Sequence, residues 1–514
     1  MNTNYDVRPA PPKPDLSKYP QIPKGACLNW NKTTRTFQVY LHAYKTDSAT
    51  GERKKTRISL GALKENGDFQ MSRTWQLSKE KEELTNLLKK AGSADAERAD
   101  KAVKALSSAA SEARIDTRQQ SKVVHSLDAV LLGTVLMSLS GHSDAASISD
   151  GINCRIRKTV FEPYMPDILS KKPVSHDTVR KLMMLADPAK FWSLCRTLTA
   201  GLASDIDGRV IAADGQAVKA TARSGDHGAR MIMNFYDASG RVCIGEKLID
   251  LKTNEITAGP EILESLNITG ATVTVDAMSC QTAFAGKIIE KGAHWLFALK
   301  GNQGMMSKES ISAFSAYEGL SKGLEPENEL DHGRIETRQV SVLKASLLPK
   351  EILEGWKGLD GGSIVRVVRD RVIKLTNEKS NETAWYITSL APSESNLRRI
   401  ADTVRAHWSI ENRLHWLLDV RFDQDRMQAN DPSYIENRAA LNRMALAMTE
   451  NYRFWLYDQN KTPKLLSVRQ VMQRCEDPLV GLELPRLLCS ACYDPINGSS
   501  ALNRQPFSSY VRIH

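Results

Sequence analysis

Three carboxylates stand where their charge would be costly without a partner. Asp214 follows the apolar run Val210, Ile211, Ala212, Ala213, and Asp276 closes TVTVDA, so each reads as the polar end of a buried strand. Strand ends lying side by side would bring two like charges together, and such a pair repels unless a divalent cation sits between them. The third, Glu411, lies in a long helical pattern with His407 and His415 four residues to either side, hence on one face. Trp408, Trp416, Ile410, Leu414 and Leu417 would fix that helix by apolar contact. A Glu buried between two histidines is expensive alone. Each feature also has an ordinary reading: an Asp that starts a turn, helped by Gly215, or a polar helix face in water. Asp402, Asp419, Asp423 and Asp425 compete with Glu411. Zinc is the weaker reading of this face, because the helical zinc motif spaces its histidines four apart and these are eight apart. The CxxC at Cys489 and Cys492, after Cys475, is followed by no histidine but His514 and reads as ordinary thiols.

The elements that must position these groups follow from the change of period between Arg209 and Gln303. RVIAADG reads as a short strand ending in Asp214, MIMNFYDASGRVCIGEKLI as a hairpin, TVTVDA as a buried strand, QTAFAGKIIEKG as an amphipathic helix and HWLFALKGNQ as a further strand. A hairpin followed by strand, helix and strand makes an α/β fold with a mixed sheet flanked by helices. Residues 321–390 return to strands and read as a β-rich insertion, whose Arg334, Arg338, Arg366, Arg369 and Arg371 are expected to contact DNA. Residues 201–320 and 391–460 then form the core, with a tail over 461–514. Residues 116–200 read as a helical domain, 71–115 as a helical linker rich in Ala, Lys and Glu, and 1–70 as a small basic β module.

Composition narrows the partners. The 514 residues are 41% hydrophobic, enough for a large core, and carry a formal charge of +10. Residues 1–60 hold eleven basic and four acidic side chains, +7 of that total, with Arg53, Lys54 and Lys55 expected at a hairpin tip. A basic head on a nearly balanced body points to a polyanion bound at one end. No run reaches the roughly eighteen apolar residues of a membrane span, and MNTNYDVRPAPPKP lacks the apolar stretch of a signal peptide. Eight cysteines, sparse and irregular, suit a reducing compartment, so a cytoplasmic protein is expected.

Taken in order, DGQ at Asp214, KTNEITAGPEIL at 252–263, VDAMSCQ around Asp276, LKGNQ at Lys300, YITSL at 386–390 and HWSIENRLHWLLDVRFDQD around Glu411, with SHDTVRKL at 175–182, resemble one family. The chain from about Asp116 to Thr449 is similar to insertion-sequence transposases of the DDE superfamily, in the branch of the H-repeat-associated proteins. The resemblance implies a ribonuclease-H-like core interrupted by a β insertion. It implies that Asp214, Asp276 and Glu411 hold two Mg²⁺ or Mn²⁺ ions, and that the substrate is double-stranded DNA: the terminal inverted repeats and the target. It also implies a homodimer in the DNA complex, nucleoid-associated when bound. Relatives in the superfamily place an Arg four residues before the Glu and a Lys seven after it, where this chain has His407 and Leu418. Arg405, His407 and Arg413, with Lys300, Asn302 and Gln303, are the candidates to line the DNA path instead. A catalytically silent DNA-binding derivative and a structure-specific nuclease on the same core are the alternatives.

Overall fold

The computed structural model describes residues 11–46, 53–72, 120–161, 169–199, 207–222, 228–249, 255–276, 281–300, 304–331 and 333–478, with a few isolated positions besides. It divides into two units, Met1–Ala99 and Asp100–His514.

The first unit is a meander of β1 (Cys27–Asn31), β2 (Thr36–Thr46), β3 (Arg53–Lys64) and β4 (Phe69–Met71), all antiparallel. Alternation puts Phe37, Val39, Leu60 and Leu63 in one small core with Ile22 and leaves Lys55, Arg57 and Ser59 exposed. Arg53, Lys54 and Lys55 are not at a hairpin tip: they open β3, paired with Thr46, Lys45 and Tyr44, because the strands run further than the polar sequence suggests. The expected linker over 71–115 lies almost wholly outside the described residues.

The second unit begins with α1 (Leu127–Leu139) and α2 (Ala145–Gly151), a π-helical stretch Ile152–Phe161, and α3 (His176–Leu185) and α4 (Pro188–Thr199). Ser126, Asp144 and Ser175 start three of these helices by accepting backbone N–H bonds in the first turn. The sheet follows: β5 (Val210–Val218), β6 (Arg230–Asp237), β7 (Val242–Ile249), α5 (Glu255–Glu264), β8 (Thr272–Val275), α6 (Thr282–Glu290), β9 (His294–Leu299) and α7 (Gly304–Ala316). Next come β10 (Lys322–Gly323), β11 (Glu327–Asp331), β12 (Arg334–Lys344), α8 (Lys350–Gly355), β13 (Ser363–Ile373) and β14 (Lys379–Thr388). The chain closes with α9 (Glu394–His407), a π-helical turn Ile410–His415, α10 (Trp416–Phe422), α11 (Pro432–Asp458) and α12 (Val468–Arg474).

These strands form one ten-stranded mixed sheet in the order β10-β12-β13-β14-β9-β8-β5-β6-β7, with β11 against β12. Only β5 with β8 and β8 with β9 are parallel, and α5 and α6 make the crossovers. All four residues of β8 are buried, as a strand covered by helices on both faces requires. The β-rich segment 321–390 joins the core sheet, because β14 pairs antiparallel with β9 and extends it. The long helix α11 packs against α1, α3, α4 and β7, so the upstream helices and the sheet share one core.

Candidate active site

Register sets the two aspartates side by side. β5 does not end at Asp214 but runs on to Val218, because β6 accompanies it antiparallel for its whole length. The parallel ladder stops earlier, at Ala213 opposite Val275. Asp214 and Asp276 thus each follow the last paired residues of adjacent parallel strands, which run about 4.8 Å apart. Asp276 accepts an ion pair from Lys300 at 2.8 Å, and Asp214 Oδ2 lies 3.6 Å from Nδ1 of His415.

The helical segment after the sheet crosses this pair. His407 Nδ1 stands 3.5 Å from Thr274 Oγ1, two residues before Asp276, and His415 meets Asp214, so Glu411 falls midway between those two contacts. Helix α9 stops at His407, and the π-helical turn Ile410–His415 takes over where Glu411 is carried, exposed, on the helix surface. Ile410, Leu414 and Leu417 are buried beneath it, whereas Trp408 and Trp416 are 47% and 52% exposed and do not anchor the helix as their apolar character suggests. As the side chains stand, no three His, Cys, Asp or Glu among the described residues meet closely enough to hold an ion. The donors that come nearest are carboxylate oxygens, a set suited to hard cations such as Mg²⁺ or Mn²⁺ rather than zinc.

The candidate DNA contacts fare unequally. Lys300 is exposed beside Asp276, and Asn302 and Gln303 lie outside the described residues. Arg405 is engaged by Glu327 at 3.2 Å and by Glu329, and so ties α9 to β11. Burial, opposed by Asp276 and reinforced by the Lys300 charge, lowers the His407 pKa to about 4, so it carries no charge at neutral pH. Arg413 is half-buried near Tyr236 and Arg241. Four of the five strand arginines meet acids as well: Arg366 Glu318 at 2.7 Å, Arg371 Glu336 at 2.8 Å, Arg338 the same Glu336, and Arg369 Glu382 at 3.8 Å, while Arg334 stands exposed at the start of β12.

Beneath Asp214 lies a polar layer that the sequence reading missed. Arg443, fully buried on α11, places Nε 2.8 Å from Glu246 Oε2 and donates to Asn234 Oδ1 at 2.7 Å, while its two terminal nitrogens reach Gln424 and Gln216 at 3.3 Å. Gln216 in turn donates to Asp419 at 2.8 Å and to the His415 carbonyl at 3.3 Å. Burial and the neighbouring Asp425 raise the Asp419 carboxyl to about 6, and Asp425 itself pairs with Lys219. The signal was present: Asn234 interrupts MIMNFYD, Arg443 interrupts the apolar AALNRMALAM stretch, and Arg438 immediately precedes it. A polar or charged group in an apolar run must find a partner.

Comparison with known proteins agrees with this geometry. Residues 202–448 match the family described as the transposase DDE domain. Among curated proteins the chain is similar to two H repeat-associated putative transposases of Escherichia coli (strain K12). It is 31% identical to YhhI over 65% of this chain and 88% of that protein, and 34% identical to YbfD over 43% and 88%. An uncharacterized protein in the dhlA 3′ region of Xanthobacter autotrophicus is 31% identical over 52% of this chain and 88% of its own length. No helix among the described residues is long and apolar enough to cross a membrane.

Proposed function

The chain belongs to the DDE transposases, in the branch of the H repeat-associated proteins, and from that premise we propose that it cuts the ends of an insertion sequence and joins them to target DNA by metal-dependent phosphoryl transfer. The observation that carries this reading is the pair Asp214 and Asp276 at the end of the parallel ladder, with Glu411 on the helix that crosses it. In support of a ribonuclease-H-like core stand three antiparallel strands, β5 to β7, followed by two parallel ones, β8 and β9, each reached through a helix.

Asp214, Asp276 and Glu411 would hold two Mg²⁺ or Mn²⁺ ions, which when bound lower the pKa of the attacking water or 3′-hydroxyl and stabilise the leaving oxygen. Lys300, paired with Asp276 in the unbound protein, is placed to turn to a DNA phosphate once that carboxylate has another cation. The basic head, with Arg53, Lys54 and Lys55, supplies charge for duplex binding. Two copies acting on paired ends, in the cytoplasm and on the nucleoid, complete the proposal.

A strand-transfer assay with the inverted repeats that flank the coding region tests it. Cleavage followed by joining in Mg²⁺ or Mn²⁺ is the expected result. Cleavage without joining makes the protein a nuclease, and end binding without cleavage makes it a silent derivative.

A further inference from the structure

The polar layer under Asp214 fixes more than packing. Arg443 can only donate, so the atom of Asn234 facing its Nε at 2.7 Å must be Oδ1. The Asn234 amide nitrogen then points the other way, toward the carbonyl of Ile232 at 3.0 Å and Nε2 of His415 at 3.2 Å. Both assignments agree, because a carbonyl can only accept. His415 Nε2 must accept from that nitrogen and so carries no proton, which leaves the proton on Nδ1, the ring atom 3.6 Å from Asp214 Oδ2. That separation is longer than a made hydrogen bond and one carboxylate rotation short of it, as is common before substrate and cofactors are in place.

We propose that His415 is a positioning residue that holds the Asp214 carboxylate through Nδ1–H, and that the buried chain Glu246, Arg443, Asn234 sets its tautomer. The inference rests on Asp214 serving as a metal ligand. Glu246 is 6% exposed and Arg443 0%, so neither serves solvent or substrate directly. Arg443 gives its one Nε proton to Asn234 Oδ1, with the Glu246 carboxyl, raised to about 7 by burial, beside that nitrogen; the amide orients the ring, and the ring presents one donor to Asp214. The same Arg443 holds the His415 backbone through Gln216, so ring and main chain are fixed from one point. A buried ion pair of this kind adds little net stability. Its value here is orientation, as with the outer-shell partners of metal ligands.

The test uses the full chain and two readouts. Long-range ¹⁵N–¹H spectra of the metal-free protein should report His415 as the Nδ1–H tautomer. Asn234→Asp keeps the size and the acceptor for Arg443 but gives Nε2 an acceptor in place of a donor, so the ring should switch to Nε2–H and turn a lone pair toward Asp214. Cleavage turnover should then fall by about 10 to 100-fold while affinity for the DNA ends holds. His415→Asn keeps a donor near the Nδ1 position and His415→Gln moves it to the Nε2 position, so the first should outperform the second by about tenfold, a difference that simple loss of packing does not produce. An Nε2–H ring in the unaltered protein, a switched tautomer with unchanged turnover, or equal activity of the two His415 variants would overturn the proposal. Asp214→Asn, run alongside, separates the two readings: if it stays active the metal-ligand assignment fails, and if it is inactive while Asn234→Asp is not, only the positioning role fails.

Discussion

The two halves of the large sheet treat charge in opposite ways. On β12 to β14 the register sets Glu336 opposite Arg371 and Arg369 opposite Glu382, and where it also sets Arg338 opposite Arg369 each guanidinium has a glutamate of the sheet beside it, Glu336 or Glu382. On β5 and β8 the register does the reverse and brings Asp214 beside Asp276, two like charges on adjacent strands. Like charges held across strands destabilise. A sheet keeps such a pair only where something else compensates: glutamates for Arg338 and Arg369 and, in the function proposed above, a metal for Asp214 and Asp276. The number of arginines on a strand says little until their cross-strand neighbours are known.

The largest expected effect tests the like-charge side. Asp214→Asn, Asp276→Asn and Glu411→Gln should each lower cleavage and joining by about 10³-fold or more, since several kcal/mol of transition-state stabilisation go with the metal. End binding should persist, and the variants should still fold, because each keeps the size of the side chain it replaces. Near-normal activity in any one removes it from the site, and Asp425 and then Asp419 would be tried in its place.

Much of this half of the sheet was legible in the sequence because buried strands announce themselves as apolar runs and the family motifs sit at their ends. What was not legible depends on register. Asp214 reads as a strand end because its neighbours turn polar, yet antiparallel pairing with β6 carries the strand to Val218. Arg405 reads as a DNA contact and is engaged by Glu327 and Glu329, more than seventy residues earlier in the chain. Asn234, His415 and Arg443 are separated by about two hundred residues of sequence from first to last, and no local pattern joins them.

The second prediction concerns the basic cluster of the N-terminal unit. Replacing Arg53, Lys54 and Lys55 together with Ala should lower end affinity by about 10²-fold at physiological salt and reduce the log–log salt slope by about 3, if each contacts one phosphate at roughly 0.9 per contact. An unchanged slope would mean that this cluster is not part of the footprint. Equal loss on repeat and random DNA would show that it supplies charge without sequence information.

Protons give the third test, at the edge of the carboxylate site. His407 is lowered to about 4 by burial, so below the ordinary value near 6.5 the unfolded chain takes up a proton that the folded chain refuses. Its contribution is complete above pH 6.5 and is lost as pH falls toward 4. At pH 5.5 the cost is about 1.4 kcal/mol. Denaturation of His407→Gln should show that much less acid destabilisation than the parent between pH 7.5 and 5.5, and an identical pH dependence would mean that the ring is not held neutral.

The smallest effect belongs to the answered arginines, and its smallness is the point. Arg366 pairs with Glu318, which is 59% exposed, and lies over the Phe314 ring at 4.7 Å. Arg369 meets a Glu382 that is 54% exposed. An exposed partner limits each ion pair to about 0–1 kcal/mol, because water and salt screen it, and Arg366 adds a modest contact with the ring. Arg366→Ala with Arg369→Ala should therefore lower stability by about 1–2 kcal/mol and leave the salt slope of end binding where it was, since no phosphate loses a partner. A slope reduced by about 2 would mean that both guanidiniums exchange their glutamates for phosphates when DNA arrives. The two halves of the sheet would then differ only in the unbound protein.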